Sequence, residues 1–132
     1  MLAKFLTPAV LLLFASSSAS ADTPKEFKEL EAMAVKALEA YNKDDMKGIF
    51  ADFVEGTVGD VNFYYDRLFK PHKATLGKYK KHTFDKSLSI FAGTAASLSL
   101  DAEFEKGKAR IGANFLKVDG KWKVQAMLIE PK

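Results

Sequence analysis

The sequence predicts an α+β domain in which three N-terminal helices precede an antiparallel sheet of about four strands. Apolar residues recur at helical spacing in the first half of the chain. After Gly77 the apolar period changes to two, which is typical of half-buried strands. Asp119-Gly120, between two apolar runs, is a strong signal for a two-residue hairpin. Helices followed by such strands pack on one face of the sheet.

The composition is that of an ordinary globular domain. The 132 residues are 48% hydrophobic and 28% charged, and none is cysteine. These values exclude a disordered chain and a disulfide scaffold, and the lack of cysteine excludes zinc–thiolate and iron–sulfur sites. The length suits a single domain.

Residues 1–21 have the pattern of a secretory signal peptide. Lys4 precedes an apolar run that is too short to span a bilayer comfortably, and a small-x-small cleavage site ends at Ala21. We therefore expect cleavage after Ala21, export to the periplasm or the medium, and a mature domain of residues 22–132. An uncleaved membrane anchor is the alternative.

Two helices are predicted before residue 56. The first covers 24–41, where a capping box starts at Thr23 and proline takes the first helical position. The second is short, and Asp44 or Asp45 can cap it. Its apolar face repeats at helical spacing.

Residues 61–76 allow two structures. The spacing of their apolar residues permits a third helix, which Pro71 must interrupt or restart. A strand over 61–65 is the alternative.

The second half of the chain predicts four strands. The first runs over 80–91 before a loop at Gly93, the second alternates over 97–104, and the third covers 108–118. The last strand follows Asp119-Gly120, and its spacing of two places four apolar residues on one face: Trp122, Val124, Ala126 and Leu128.

Four segments carry a resemblance to a known superfamily. They read AYNKDD at 40–45, LGK at 76–78, FEKGK at 104–108 and DGKWKV at 119–124. In order and spacing they resemble the nuclear transport factor 2-like and ketosteroid-isomerase-like superfamily, and in particular its small exported bacterial domains of unknown function. The resemblance implies a curved sheet wrapped around a long helix into a cone, with a pocket at the wide end. It also implies dimerisation through the sheet face.

The resemblance carries no catalytic residue onto this chain. Steroid isomerases have an oxyanion tyrosine well inside helix one, where this sequence reads AMAVKA at 32–37. An Asp–His or Tyr–His pair can still hold a general base near neutral pH. The candidates are Tyr64, Tyr65, Asp66, His72, Tyr79, His82 and Asp85. The favoured interpretation leaves both histidines solvated among lysines and the tyrosine hydroxyls in water. The two histidines lack metal-ligand spacing, so we expect no metal and no cofactor.

A basic patch lies between residues 67 and 86. It consists of Arg67, Lys70, Lys73, Lys78, Lys80, Lys81 and Lys86. Such a patch suits an anionic envelope surface or an acidic ligand. Nucleic acid is not expected as a partner of an exported protein that is poor in arginine. The favoured alternative is a solvated lysine-rich face.

Aromatic side chains provide the candidates for lining a pocket. They are Phe27, Phe53, Phe63, Tyr65, Phe104, Phe115 and Trp122. Such residues enclose a small apolar ligand in some domains and simply form the core in more of them.

These observations together predict a small exported module that binds a ligand or another protein, is non-catalytic and forms a homodimer through its sheet. The alternative is an acid–base enzyme of the dehydratase, isomerase or cyclase type. It would act on a small apolar substrate in the pocket.

Overall fold

The computed structural model describes residues 23–132, so the predicted signal peptide and its cleavage site lie outside the described residues. Within 23–132, helices pack on one face of a five-stranded antiparallel sheet with the order β1-β3-β4-β5. The fifth strand, β2, pairs with the same edge of β3 as β1 does. The α+β prediction is confirmed, with five strands instead of about four.

The helical half begins with a 3-10 turn at Lys25–Phe27. The α-helices are α1 (Lys28–Asn42), α2 (Met46–Ile49), α3 (Val61–Leu68) and α4 (Lys70–Leu76). The sheet half contains β1 (Tyr79–Phe84), β2 (Ile90–Phe91), β3 (Ala95–Phe104), β4 (Gly107–Val118) and β5 (Lys121–Pro131). None of the helices within 23–132 has the length and apolarity needed to cross a membrane.

Different local features mark the starts of the helices. Pro24 lies at the N-cap of the first turn, one position before the first helical residue where we predicted it. Asp45 caps α2 by accepting a hydrogen bond from the Gly48 amide. Pro71 lies in the first turn of α4, where its missing N–H is harmless, so it restarts the helix as predicted. The alternative of a strand over 61–65 is wrong.

The predicted first strand is divided into β1 and β2. Asp85 accepts a hydrogen bond from the Ser87 amide and thereby caps a 3-10 turn at Lys86–Leu88 between the two strands. The Asp85 amide still donates to the Ser99 carbonyl, at 2.9 Å, which keeps the chain along the same edge of β3. The loop at Gly93 and the hairpin at Asp119-Gly120 are confirmed, and both hairpin residues have positive φ.

A β-bulge changes the predicted face of the last strand. The register of β4 with β5 shifts between Asn114 and Phe115, which leaves Gln125 as the extra residue. Trp122 and Val124 are therefore buried, whereas Ala126 and Leu128 point outward. The prediction that all four share one face is wrong for the last two, because a sequence period of two does not show where a strand gains a residue.

The core lies between α1 and the inner face of the sheet. Its α1 side is formed by Leu30, Ala34, Leu38 and Tyr41, and its sheet side includes Leu98, Leu100, Ile111, Phe115 and Met127. The segment 52–54 pairs with the outer edge of β5, where the Val54 amide donates to the Val124 carbonyl at 2.7 Å.

Gly77 joins the helical half to the sheet. Its backbone has φ +77° and ψ −153°, a region that is essentially restricted to glycine. The buried Tyr41 hydroxyl donates to the Gly77 carbonyl oxygen at 2.8 Å, and the next amide, of Lys78, donates to the Glu105 carboxylate at 2.9 Å. A Cβ at Gly77 would lie 2.6 Å from a Glu105 carboxylate oxygen.

Candidate functional site

A β-bulge in β1 brings two titratable side chains to the same face of the sheet. Residues three apart in a regular strand point to opposite faces. The register of β1 with β3 shifts between Tyr79 and Lys81, so Tyr79 pairs with Phe104 and His82 pairs with Ala102. Both partners are buried on the inner face. Tyr79 and His82 therefore point together toward the helical layer.

Tyr79, His82 and Glu31 form a continuous hydrogen-bonded chain, which we call the relay. The Tyr79 hydroxyl lies 2.6 Å from His82 Nδ1, and His82 Nε2 lies 2.5 Å from Glu31 Oε2. The His82 side chain is 6% exposed and the Glu31 side chain is fully buried. The relay thus connects the first turn of α1 to the edge strand β1 through protein groups alone.

The protonation of Tyr79 defines the direction of the relay. Burial, followed by the negative charges of Glu39 and Glu31, raises the pKa of Tyr79 to about 12. The phenol therefore keeps its proton at neutral pH, and we assign it as the donor in the hydrogen bond to His82 Nδ1. With this assignment the ring proton of His82 lies on Nε2, which faces the Glu31 carboxylate.

Asn42 fixes the backbone at the other end of the relay. Its side-chain amide donates to the Tyr79 carbonyl oxygen at 2.9 Å and accepts from the Tyr79 amide at 2.7 Å. Because Glu31 and Asn42 both belong to α1, one rigid element positions both ends. The arrangement can hold and move a proton between a phenol and an imidazole.

The structure brings together two of the predicted acid–base candidates, Tyr79 and His82. The interpretation that His82 is solvated is wrong, because its side chain is buried and bonded at both nitrogens. Two hydroxyl groups predicted to be in water are also bonded within the protein, since the Tyr65 hydroxyl donates to Asp44 and the Tyr79 hydroxyl is bonded to His82 Nδ1.

The other candidates lie apart from the relay. Tyr64 and Asp66 lie on α3, and Asp85 accepts hydrogen bonds from the Ser87 amide and hydroxyl groups. His72 lies on α4, where burial lowers its pKa.

Sequence reasoning missed Glu31. The sequence signal that could have found it is its position in the helical repeat. Glu31 lies four residues after Phe27 and seven before Leu38, so it shares the face of α1 that these two core residues occupy. An acidic residue in phase with an apolar stripe is a buried carboxylate that needs a partner.

The predicted pocket-lining aromatic residues mostly lie in the core. Phe27, Tyr65, Phe104, Phe115 and Trp122 are buried, and Phe53 is half-buried. Phe91, from β2, packs between two of them, with its ring centroid 5.7 Å from those of both Phe27 and Trp122. Phe63 is 50% exposed on α3, with the Arg67 guanidinium over its ring.

The basic patch does not form one uniform surface. Lys73 points inward and donates to the Tyr41 carbonyl oxygen at 2.7 Å and to the Asp44 carboxylate at 2.6 Å. Lys81 lies 4.0 Å from Glu103. The remaining five side chains of the patch are exposed: Arg67, Lys70, Lys78, Lys80 and Lys86.

The Lys73–Asp44 pair predicts an acid-sensitive connection between α4 and the turn that follows α1. The hydrogen bond and charge of Lys73 lower the pKa of Asp44 below its ordinary value of 3.8. A carboxyl group with a lowered folded pKa stabilises the fold above its unfolded pKa and loses this effect as the pH falls through the folded value. We expect the urea midpoint to fall as the pH is lowered from about 5 to below about 3, and to fall less in Asp44→Asn.

Lys73→Met should reduce this acid sensitivity in the same way, because it removes the cation that lowers the pKa. Hydrogen bonds to Asp85 also lower the pKa of that residue, so part of the wild-type acid sensitivity persists in both variants. If the urea midpoint of Asp44→Asn fell with pH as steeply as that of the wild type, the Lys73–Asp44 pair would not be a source of the acid sensitivity.

The outward face of the sheet carries a second feature, which we call the outer patch. It consists of Leu88, Ile90, Ala126 and Leu128 around Gly112. Leu88 is 49%, Ile90 66% and Leu128 44% exposed. These residues line two shallow grooves of about 200 and 260 Å³, which share Ser97 and Asn114. The Arg110–Glu130 ion pair borders the first groove.

Within residues 23–132, no three His, Asp or Glu side chains are grouped so that they could hold a metal ion.

Solved structures with the same arrangement of helices and sheet are of unknown function. A protein from Nostoc punctiforme with a cystatin-like fold is 18% identical, covers 83% of this chain and 93% of its own, and has a TM-score of 0.59. An NTF2-like protein from Shewanella baltica is 20% identical, with coverages of 84% and 98% and a TM-score of 0.56. Another, from Shewanella oneidensis, is 15% identical, with coverages of 79% and 98% and a TM-score of 0.55.

No protein-family model and no curated protein sequence matches the chain. At these identities the solved structures establish the fold and leave the activity open. The sheet, the long helix α1 and the short helices before β1 all agree with the resemblance seen in the sequence. The chain therefore has the nuclear transport factor 2-like, cystatin-like fold.

Proposed function

We propose that this protein is an exported, non-catalytic interaction module that associates with a second copy of itself through the outer patch. The observation that supports this proposal is the exposure of Leu88, Ile90 and Leu128 together on one sheet face. Large aliphatic side chains grouped on a surface favour burial against a partner. Each apolar side chain buried in this way stabilises the association through the hydrophobic effect.

The form and charge of this face favour a second copy as the partner. Gly112 lies at its centre, and a Cβ there would meet no atom within 4 Å, so another sheet can approach closely. Acidic and basic side chains flank the patch, among them Asp101, Arg110 and Glu130. A two-fold axis near Gly112 would place the apolar groups of both copies in the centre of the interface and these charged side chains at its rim.

Leu128→Asp is expected to weaken self-association at least about tenfold, because each copy would place a carboxylate in the apolar centre of the interface. Sedimentation velocity over a range of concentrations measures the change. Phe63→Asp is the matched control, since it places the same charge at a similarly exposed apolar position on α3. A wild-type protein that stays monomeric, or equal weakening by both variants, would contradict the proposal.

Export is the second part of this proposal, and it is supported by the signal-peptide pattern of residues 1–21. Intact-mass analysis of protein recovered outside the cytoplasm is expected to show Asp22 as the first residue. Ala21→Leu should block this cleavage, because the site requires small side chains. A product that retains Met1 would instead indicate an uncleaved anchor.

Acid–base catalysis is the second candidate function, and the relay is the observation that favours it. If an acid–base enzyme used the Tyr79 hydroxyl, a substrate with an acceptor oxygen would bind there and perturb the His82 imidazole. NMR titration of the imidazole resonances with small carbonyl compounds tests this. A saturable shift in the wild type that is lost in Tyr79→Phe would favour the enzyme.

A further inference from the structure

We propose that Tyr79 is a one-electron oxidation site, at which the phenol passes its proton to His82 as it gives up an electron. The co-reactant is a one-electron oxidant that reaches the protein from solution. This inference does not depend on the outer patch or on self-association.

The chemistry of phenols explains why a base beside the hydroxyl matters. A tyrosine that loses an electron becomes a strongly acidic radical cation, so its oxidation is easy only where the proton can leave at once. An electron can cross several ångströms of protein, whereas a proton crosses only a hydrogen bond. A tyrosine bonded to a good base is therefore the one that oxidises first.

In the direction assigned to the relay, His82 Nδ1 is this base. In the proposed step one electron passes from Tyr79 to the oxidant, the O–H bond of the phenol breaks, and the proton forms an N–H bond at His82 Nδ1. The products are a neutral tyrosyl radical, an imidazolium and the reduced oxidant. The distance of 2.6 Å makes this a transfer along an existing hydrogen bond. The Glu31 carboxylate, 2.5 Å from Nε2, stabilises the imidazolium.

The surroundings of the other three tyrosines differ in the group that would take the proton. The Tyr41 hydroxyl donates to the Gly77 carbonyl, which is a very weak base. The Tyr65 hydroxyl lies 3.3 Å from the Asp44 carboxylate, whose affinity for a proton is lowered by Lys73. Tyr64 lies on α3 with its ring against Phe63. Of the four tyrosines in the sequence, we assign an imidazole acceptor to Tyr79.

The test uses the purified protein and a ruthenium tris-bipyridyl complex, oxidised by a light flash in the presence of persulfate. All variants carry Trp122→Phe so that tyrosines are the oxidisable aromatic groups under study. Tyrosyl radicals are followed by transient absorption and electron paramagnetic resonance. We expect Tyr79→Phe to remove most of the early radical, whereas Tyr65→Phe and Tyr41→Phe leave it unchanged.

His82→Asn tests the proton step. Asparagine offers an oxygen near the position of Nδ1 but cannot take up the proton, so radical formation at Tyr79 should slow by about a hundredfold or more. Circular dichroism checks that the variant is folded. If the variant is not folded, the oxidation rate of the parent protein is compared in water and in deuterium oxide. Proton transfer to His82 requires slower oxidation in deuterium oxide.

Any one of three results would overturn the proposal. The first is an early radical that persists in Tyr79→Phe, and the second is oxidation of the folded His82→Asn variant at the parent rate. The third is a parent rate that is the same in deuterium oxide as in water. Self-association can fail its own test without affecting any of these measurements.

Discussion

His82→Leu is expected to lower the free energy of unfolding by about 3–5 kcal/mol, because it breaks a buried carboxylate–imidazole pair. Glu31 is fully buried on α1 and His82 is nearly so on β1, so loss of the imidazole leaves a desolvated carboxylate without that donor. The Tyr79 hydroxyl loses its acceptor as well. Urea unfolding followed by circular dichroism measures the change.

Two comparisons make this expectation specific. Lys36 lies on α1, as Glu31 does, and forms an exposed ion pair with Asp52. Lys36→Met breaks this pair and should change the unfolding free energy by less than about 1 kcal/mol. The double variant Glu31→Leu with His82→Leu should be more stable than His82→Leu alone, since it removes the buried charge together with its partner. Equal effects of His82→Leu and Lys36→Met would show that the relay does not hold α1 to β1.

Gly77→Ala is expected to lower the free energy of unfolding by about 2–4 kcal/mol. The backbone conformation at this position contributes about 1–3 kcal/mol of strain for any residue with a Cβ. The new Cβ also displaces the Glu105 carboxylate from the Lys78 amide, a hydrogen bond worth about 1 kcal/mol. Thermal and urea unfolding should both show the loss.

Gly93→Ala is the matched control for this substitution. Gly93 also has positive φ, but a Cβ there would meet no atom within 4 Å. Only the backbone penalty applies, about 1–2 kcal/mol. If Gly93→Ala were as destabilising as Gly77→Ala, the close approach of Glu105 would have no energetic consequence.

The parts of the fold that the sequence predicted are those controlled by local chemistry. Asp119-Gly120 specifies a tight hairpin because both positions need positive φ, and Pro71 restarts a helix because it lacks an N–H. Asp45 caps α2 for a similarly local reason. These signals act within a few residues, so a single sequence shows them.

The relay could not be predicted because it depends on long-range geometry. Glu31 and His82 are 51 positions apart, and His82 turns inward only because of the bulge before Lys81. In the sequence His82 follows two lysines and reads as part of a solvated strand. The bulge in β5 likewise reverses the face of Leu128, which places it on the outer patch instead of in the core.

Backbone pairing at the two ends of the sheet limits the kind of assembly this protein can form. The Asn42 carboxamide occupies the free N–H and C=O groups of Tyr79, and segment 52–54 occupies those of Val124. An additional strand therefore cannot pair with the sheet at these positions. Fibrils grow by such pairing, because each added strand presents a new unpaired edge. If two copies associate through their outer patches, both patches are buried and neither is left to bind a third copy. Growth by strand addition at these two positions is thereby disfavoured by the same hydrogen bonds that attach α1 and the segment 52–54 to the sheet.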